Sequence, residues 1–216
     1  MRKFFKLVSE DKRPMRSLNR RYVRENNEYT VRPKTKEELE KIIKETIEEQ
    51  GNNADLNFID TSLIINMEYL FKNSRFNGNI SEWDVSNVKY MNWMFYNSLF
   101  NGDISNWNTS SVKLMNNMFF NSKFNGDISN WDVRKVKNMN NMFAYSNFNG
   151  DISNWDVSNV KYMNGMFYNC DFNGDISKWD VRKVKNMKFM FYKSPLEKKY
   201  GTNGEKLKGG VIESYR

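Results

Sequence analysis

The chain has 216 residues, a formal charge of +8 and a mean hydropathy of −0.81. It has no histidine, which removes the commonest general base, the Ser-His and Cys-His dyads and histidine metal sites, and no apolar run long enough to span a membrane. A single cysteine, Cys170, excludes an intramolecular disulfide framework and fits a reducing compartment.

Residues 1–36 carry twelve Lys/Arg against four acids. Residues 1–34 therefore read as a basic N-terminal arm, whose Arg16, Arg20, Arg21 and Arg24 suit an acidic partner, nucleic acid or phosphate. A solvated extension is the alternative. The opening MRKFFKLVSEDKRP breaks its apolar stretch at Lys6 and has no small-residue cleavage site. It predicts no signal peptide and a cytoplasmic location. Residues 21–31 alternate around Asn26-Asn27 and predict a hairpin.

Thr35-Lys36-Glu37-Glu38 is a capping box, with an apolar face of Leu39, Ile42, Ile43 and Ile47 behind it. With Gly51 as its stop, a capping helix is predicted over residues 35–51, laid over the open end of the repeats that begin at Asn52.

From Phe76 the segment FNGNISEWDVSNVKYMNWMFYNSL returns at Phe100, Phe124, Phe148 and Phe172 without insertion, and a worn copy precedes it from Asn52. Six coils of 24 residues thus fill residues 52–195. A fixed period of this length predicts a solenoid in which each unit buries its apolar side against its neighbours. Within a coil, Trp131-Asp132-Val133 alternates like a half-buried strand. Val133, Val136, Met139, Met142 and Phe143 continue at helical or 3₁₀ spacing. The Phe-Asn-Gly-Asp corner then turns the chain, with glycine supplying a positive φ. Stacked coils predict parallel strands with like residues about 4.8 Å apart, in a pile on the order of 30 Å tall. Trp83, Trp107, Trp131, Trp155 and Trp179 form the expected inner column, and methionine beside phenylalanine reads as core.

Two aspartate ladders recur: Asp84, Asp132, Asp156 and Asp180 in the Trp-Asp-Val step, and Asp103, Asp127, Asp151 and Asp175 at the corner. They suit turn capping, Ca²⁺, or pairing with the lysine ladder Lys89, Lys113, Lys137, Lys161 and Lys185. Differences between coils point to partner contacts, because scaffold demands are equal in all of them. The basic pairs Arg134/Lys135 and Arg182/Lys183 adjoin Asp132 and Asp180 and offer a charged face, or a self-neutralised one. Trp93, Tyr96, Phe120, Tyr168, Tyr192 and Phe189 read either as exposed anchors or as rings packed on adjacent coils. Residues 196–216, rich in glycine and lysine, form a C-terminal cap or tail with Leu207, Val211 and Ile212 able to fold over the last coil.

The coil motif I-S-N-W-D-V-x-x-V-K-x-M-x-x-M-F-x-x-S-x-F-N-G-D resembles the leucine-rich repeat of BspA-like bacterial surface proteins and mycoplasma lipoproteins. Val88, Met91, Met94-Phe95 and Ser98 sit where that family's Leu, Ile, Ala-Phe and Cys run, with the cysteine kept only at Cys170. The resemblance implies an α/β solenoid: a right-handed, leucine-rich-repeat-like stack with short parallel strands, used for binding.

No phosphate loop or dinucleotide fingerprint is present, so no enzyme activity and no cofactor are expected. The leading expectation is a non-catalytic leucine-rich-repeat protein that engages a macromolecular partner, foremost a protein. The competing one is a basic nucleic-acid or ribonucleoprotein-binding inhibitor, of the kind a phage uses against host defence (an anti-CRISPR protein).

Overall fold

The computed structural model describes residues 31–207. The arm residues Arg16, Arg20, Arg21 and Arg24, the hairpin up to Thr30, and Val211 and Ile212 lie outside them. Val31, the last residue of the expected hairpin, pairs in parallel with Ile59 of the first coil.

Helix α1 spans Lys36–Gln50. Thr35 Oγ1 accepts from the Glu38 amide at 3.2 Å, and Glu38 Oε2 accepts from the Lys34 amide at 2.6 Å. The reciprocal bond of the capping box thus lands one residue earlier than the motif implies. Gly51, at φ +84°, donates to the Ile47 carbonyl and ends the helix. Leu39 and Ile43 are buried in the same apolar cluster as the first coil, with Ile42 and Ile47 packed against it.

Beyond α1 the chain winds in register with itself every 24 residues. Isolated parallel bridges join Asn66 to Tyr90, Tyr90 to Leu114, Leu114 to Asn138, Asn138 to Tyr162 and Tyr162 to Asn186. Three aromatic columns run through the interior. Trp83 lies on Trp107 and Trp107 on Trp131, with ring centroids 6.4 and 6.3 Å apart and planes within 3°. Phe71, Phe95, Phe119 and Phe143 stack at 5.5–5.7 Å, and Phe76, Phe100, Phe124 and Phe148 at 6.1–6.4 Å. Each tryptophan of the column also donates its indole N–H to a carbonyl 27 residues earlier, Trp131 to Ile104 at 3.1 Å and Trp155 to Ile128 at 3.0 Å. Every buried indole donor in the column is satisfied, as burial demands. Met91, Met115, Met139 and Met163 are fully buried as core.

Three local expectations are corrected. The Trp-Asp-Val step makes no inter-coil ladder. Its carboxylate instead accepts from the backbone two residues on (Asp132 Oδ1 from the Arg134 amide at 3.0 Å), folding the segment into a turn. The pairing has moved to the segment read as helical. There the amides of Met91, Trp93, Phe95 and Asn97 donate to Leu114, Asn116, Met118 and Phe120, with short turns such as Met91–Met94 between them. No α-helix forms in the coils because two residues in each are left-handed: Trp93 and Asn97, Asn117 and Asn121, Asn141 and Tyr145 among them. A left-handed residue stops helix propagation and turns alternate amides toward the next coil.

The third correction concerns the corner glycines, none of which has a positive φ. Their need is space: a Cβ on Gly126 would lie 2.9 Å from the Phe124 ring, and one on Gly78 would lie 1.9 Å from the Ala54 carbonyl oxygen.

The far end is closed by chain rather than left as a tail. Helix α2, Glu197–Tyr200, brings Leu196, Tyr200 and Leu207 into the core. The amides of Phe191 and Phe189 donate to the Thr202 carbonyl and to Asn203 Oδ1. This segment takes the bonds that a seventh coil would have supplied. Among the described residues no helix is long and apolar enough to cross a membrane.

Candidate functional site

The left-handed slots hold the first indication of function. There are twelve of them, two in each coil; six hold asparagine and one holds Gly165, the residues that tolerate this conformation, and the last, at the end of the stack, holds Lys193. Four others hold Tyr69, Trp93, Tyr145 and Phe189 at φ +58 to +67°, where a bulky side chain is strained. All four rings lie on one surface. From the first coil to the last, Tyr69 meets Trp93 at 5.4 Å, Trp93 meets Tyr96 at 6.1 Å, and Tyr96 stacks on Phe120 at 4.8 Å. The line continues through Tyr145, Tyr168, Tyr192 and Phe189 at 5.1–5.8 Å. Eight rings thus form one stripe along the stack. They are not core: Tyr69, Tyr145 and Phe189 are 44–47% exposed, and Trp93, Tyr96, Phe120, Tyr168 and Tyr192 are half-buried.

Lysines dress both ends. Lys72 Nζ sits 5.2–5.5 Å from the ring centres of Tyr69, Trp93 and Tyr96, while Lys188 covers Phe189 and Lys193 covers Tyr192. The Trp93 indole N–H is buried without a hydrogen-bond partner, a further cost of keeping this ring in its slot. Toward the C-terminal end the stripe opens into a groove of about 420 Å³, walled by Tyr145, Tyr168 and Phe189 and floored by Asn141, Asn164 and Gly165. The groove exists because Gly165 and Asn141 occupy the slot that Trp93 and Phe189 fill elsewhere. A side chain at Gly165 would meet Asn141 Oδ1 at 2.3 Å. The neighbouring Tyr145 hydroxyl holds the Tyr168 hydroxyl above its ordinary pKa.

The charged residues separate into two groups. Arg134 grips Asp132 with Nε and Nη2 at 2.9 and 2.6 Å, and Arg182 grips Asp180 at 2.8 and 2.6 Å. The bidentate bond from Arg182, joined by its amide, lowers the Asp180 pKa to about 2, and the same bond holds Asp132 below its usual value. These pairs are self-neutralised. Asp156 accepts from the Ser158 amide at 3.0 Å, and the corner aspartates accept from Ser105, Ser129, Ser153 and Ser177, each at 2.9 Å. The aspartate ladders cap turns, and no cluster among the described residues could hold a metal ion. Lys183 donates to Asn159 Oδ1 at 2.9 Å, and Lys135 is exposed.

Sequence reasoning singled out Trp93, Tyr96, Phe120, Tyr168, Tyr192 and Phe189 and missed Tyr69 and Tyr145, which join them. The signal for Tyr145 was available. It stands one residue beyond the column of Tyr96 and Phe120, in a slot that reads asparagine in four of the five other coils. Without knowledge that the slot is left-handed, that exchange carries no weight.

No curated protein and no solved structure matches the chain. A family model described as a Mycoplasma protein of unknown function, DUF285, matches residues 38–147 and 112–202. Together the two matches run over α1, all the coils and most of the closing segment, and the chain belongs to this family.

Proposed function

We propose that this protein is a non-catalytic, right-handed solenoid of the leucine-rich-repeat type, akin to the BspA-like repeat, and that it holds a protein partner on its aromatic stripe. The observation that carries this reading is the strained backbone beneath Tyr69, Trp93, Tyr145 and Phe189. Asparagine serves the scaffold better at these slots and fills them elsewhere, so rings kept there have another use. Exposed aromatic side chains beside a concave groove are the usual anchors of a protein interface. Tyr96 lies on Phe120 with planes within 9°, which covers one face of each of these two rings against a stacking base.

The test is affinity capture from the native host with the wild-type protein and with a Trp93→Asn, Tyr145→Asn, Phe189→Asn triple variant, coupled to mass spectrometry. The wild type should retain a defined protein partner that the folded triple variant loses at least tenfold. Equal recovery by both forms, or recovery of nothing by the wild type, counts against the stripe.

A further inference from the structure

Five lysines stand in single file along the stack: Lys89, Lys113, Lys137, Lys161 and Lys185. The backbone locks them in line, for the Lys113, Lys137, Lys161 and Lys185 amides each donate to the carbonyl of the lysine one coil earlier at 2.8–2.9 Å. Four of the five are exposed and Lys89 is half-buried. Among the described residues none of them has an ion pair. Of the aspartates in the neighbouring Trp-Asp-Val steps, Asp132 and Asp180 are paired with Arg134 and Arg182, and no carboxylate lies within ion-pair distance of the file among the described residues. A repeat that sets like charges about 4.8 Å apart along its axis accumulates repulsion with every coil. Nothing in the core requires lysine at an exposed site, yet every full coil has one.

We infer that this lysine file is the docking track for an extended acidic segment of the protein partner, laid along the stack axis. The inference rests on the binding role proposed above. Four steps of about 4.8 Å give a track of about 19 Å, the length of roughly six residues of extended chain. The following residue of the chain in successive coils is Tyr90, Leu114, Asn138, Tyr162 and Asn186, half-buried except for Tyr162, which is 39% exposed. Leu114 and the tyrosines suit the apolar side chains that flank carboxylates in a peptide, and those tyrosines are also where a base would stack, which is why the test carries an oligo-dT arm. The rings anchor the partner, and the file orients it and speeds encounter.

The test uses the full chain and fluorescence anisotropy with two labelled probes of equal charge, a twelve-residue glutamate-rich peptide and oligo-dT. Three proteins are compared: the wild type, the Lys113→Gln, Lys137→Gln, Lys161→Gln variant, and the Trp93→Asn, Tyr145→Asn, Phe189→Asn stripe variant. The peptide should bind the wild type more tightly than oligo-dT does, and weaken about tenfold from low to physiological salt as screening sets in. The glutamine variant should lose at least tenfold while its Tm holds or rises, since repulsion has been relieved. The stripe variant should keep its peptide binding, so failure of the stripe and failure of the file are told apart. Tighter binding of oligo-dT assigns the file to nucleic acid and overturns the inference. So does undiminished binding by the glutamine variant, or no peptide binding at all. Salt-sensitive self-association that Asp127→Asn abolishes gives the track to a second copy and overturns it as well.

Discussion

Replacing Tyr145 by asparagine separates the demands of the scaffold from those of the surface. Tyr145 sits at φ +59° and is 47% exposed. A non-glycine residue in this conformation costs about 1–2 kcal/mol, and asparagine, which bonds to its own backbone there, recovers roughly 1 kcal/mol of it. The amide would also enter a ladder that Tyr145 interrupts. Asn121 Nδ2 already donates to Asn97 Oδ1 at 2.8 Å, and Asn97 Nδ2 to Asn73 Oδ1 at 3.0 Å. New bonds to Asn121 and Asn169 at an exposed site add about 0.5 kcal/mol each. Against this gain of about 2 kcal/mol stands the loss of two ring contacts, to Phe120 and Tyr168, each at 5.2 Å. Together they are worth about 1–2 kcal/mol. Tyr145→Asn should therefore be as stable as the wild type or slightly more so. Tyr145→Ala loses the same rings, keeps the strain and gains no bond, so it should fall about 2 kcal/mol below the asparagine variant. At about 2–4 °C per kcal/mol for a chain of this size, the two should melt roughly 4–8 °C apart by calorimetry. If alanine melts level with or above asparagine, the left-handed slot is not strained and the case for the stripe fails with it.

Two further outcomes bear on the scaffold. Gly126→Ala should lower stability by about 1–3 kcal/mol in denaturant titration, because its methyl group would press on the Phe124 ring from 2.9 Å although the backbone angle is ordinary. Acid should destabilise the protein in a window set by its aspartates. Asp103, Asp127, Asp151 and Asp175 are held below their usual pKa by the serine amides, and Asp180 by Arg182 down to about 2. A depressed folded pKa contributes stability that is complete above the unfolded value near 4 and is lost as pH falls through the folded value. Melting temperature should thus be flat above about pH 5 and drop toward pH 2. Asp127→Asn, which keeps the turn as Asn79 and Asn108 do by accepting from Ser81 and Ser110 at 3.2 Å, should shrink that drop.

The period, the buried faces and the ends of α1 were legible because they depend on residue identity at fixed spacing. Tryptophan every 24 residues admits few arrangements that hide it, and a threonine three residues ahead of Glu38 announces a helix start. The path of the backbone within a coil was not legible. Val133, Val136 and Met139 have helical spacing, but Val136 donates to Val133 in a local turn and Met139 donates across to Tyr162 of the next coil, a choice decided by stacking partners rather than by local sequence. The same hidden variable concealed the stripe. Asn141 and Tyr145 look like ordinary surface residues until their positive φ is known, and only then does a tyrosine in an asparagine slot become an anomaly. The lysine file was plain in the sequence. Its lack of carboxylate partners was not, because the turns had to be folded before the aspartates were seen to be occupied.

The indole bond reaching back 27 residues has a consequence for how such a chain can change. Were residues 124–147 excised, Trp155 would find the Ile104 carbonyl where Ile128 had been, and every ring of the inner columns would inherit a neighbour of its own kind. A gene of this kind can be lengthened or shortened by whole units without redrawing its interior, while the outer face is recomposed each time.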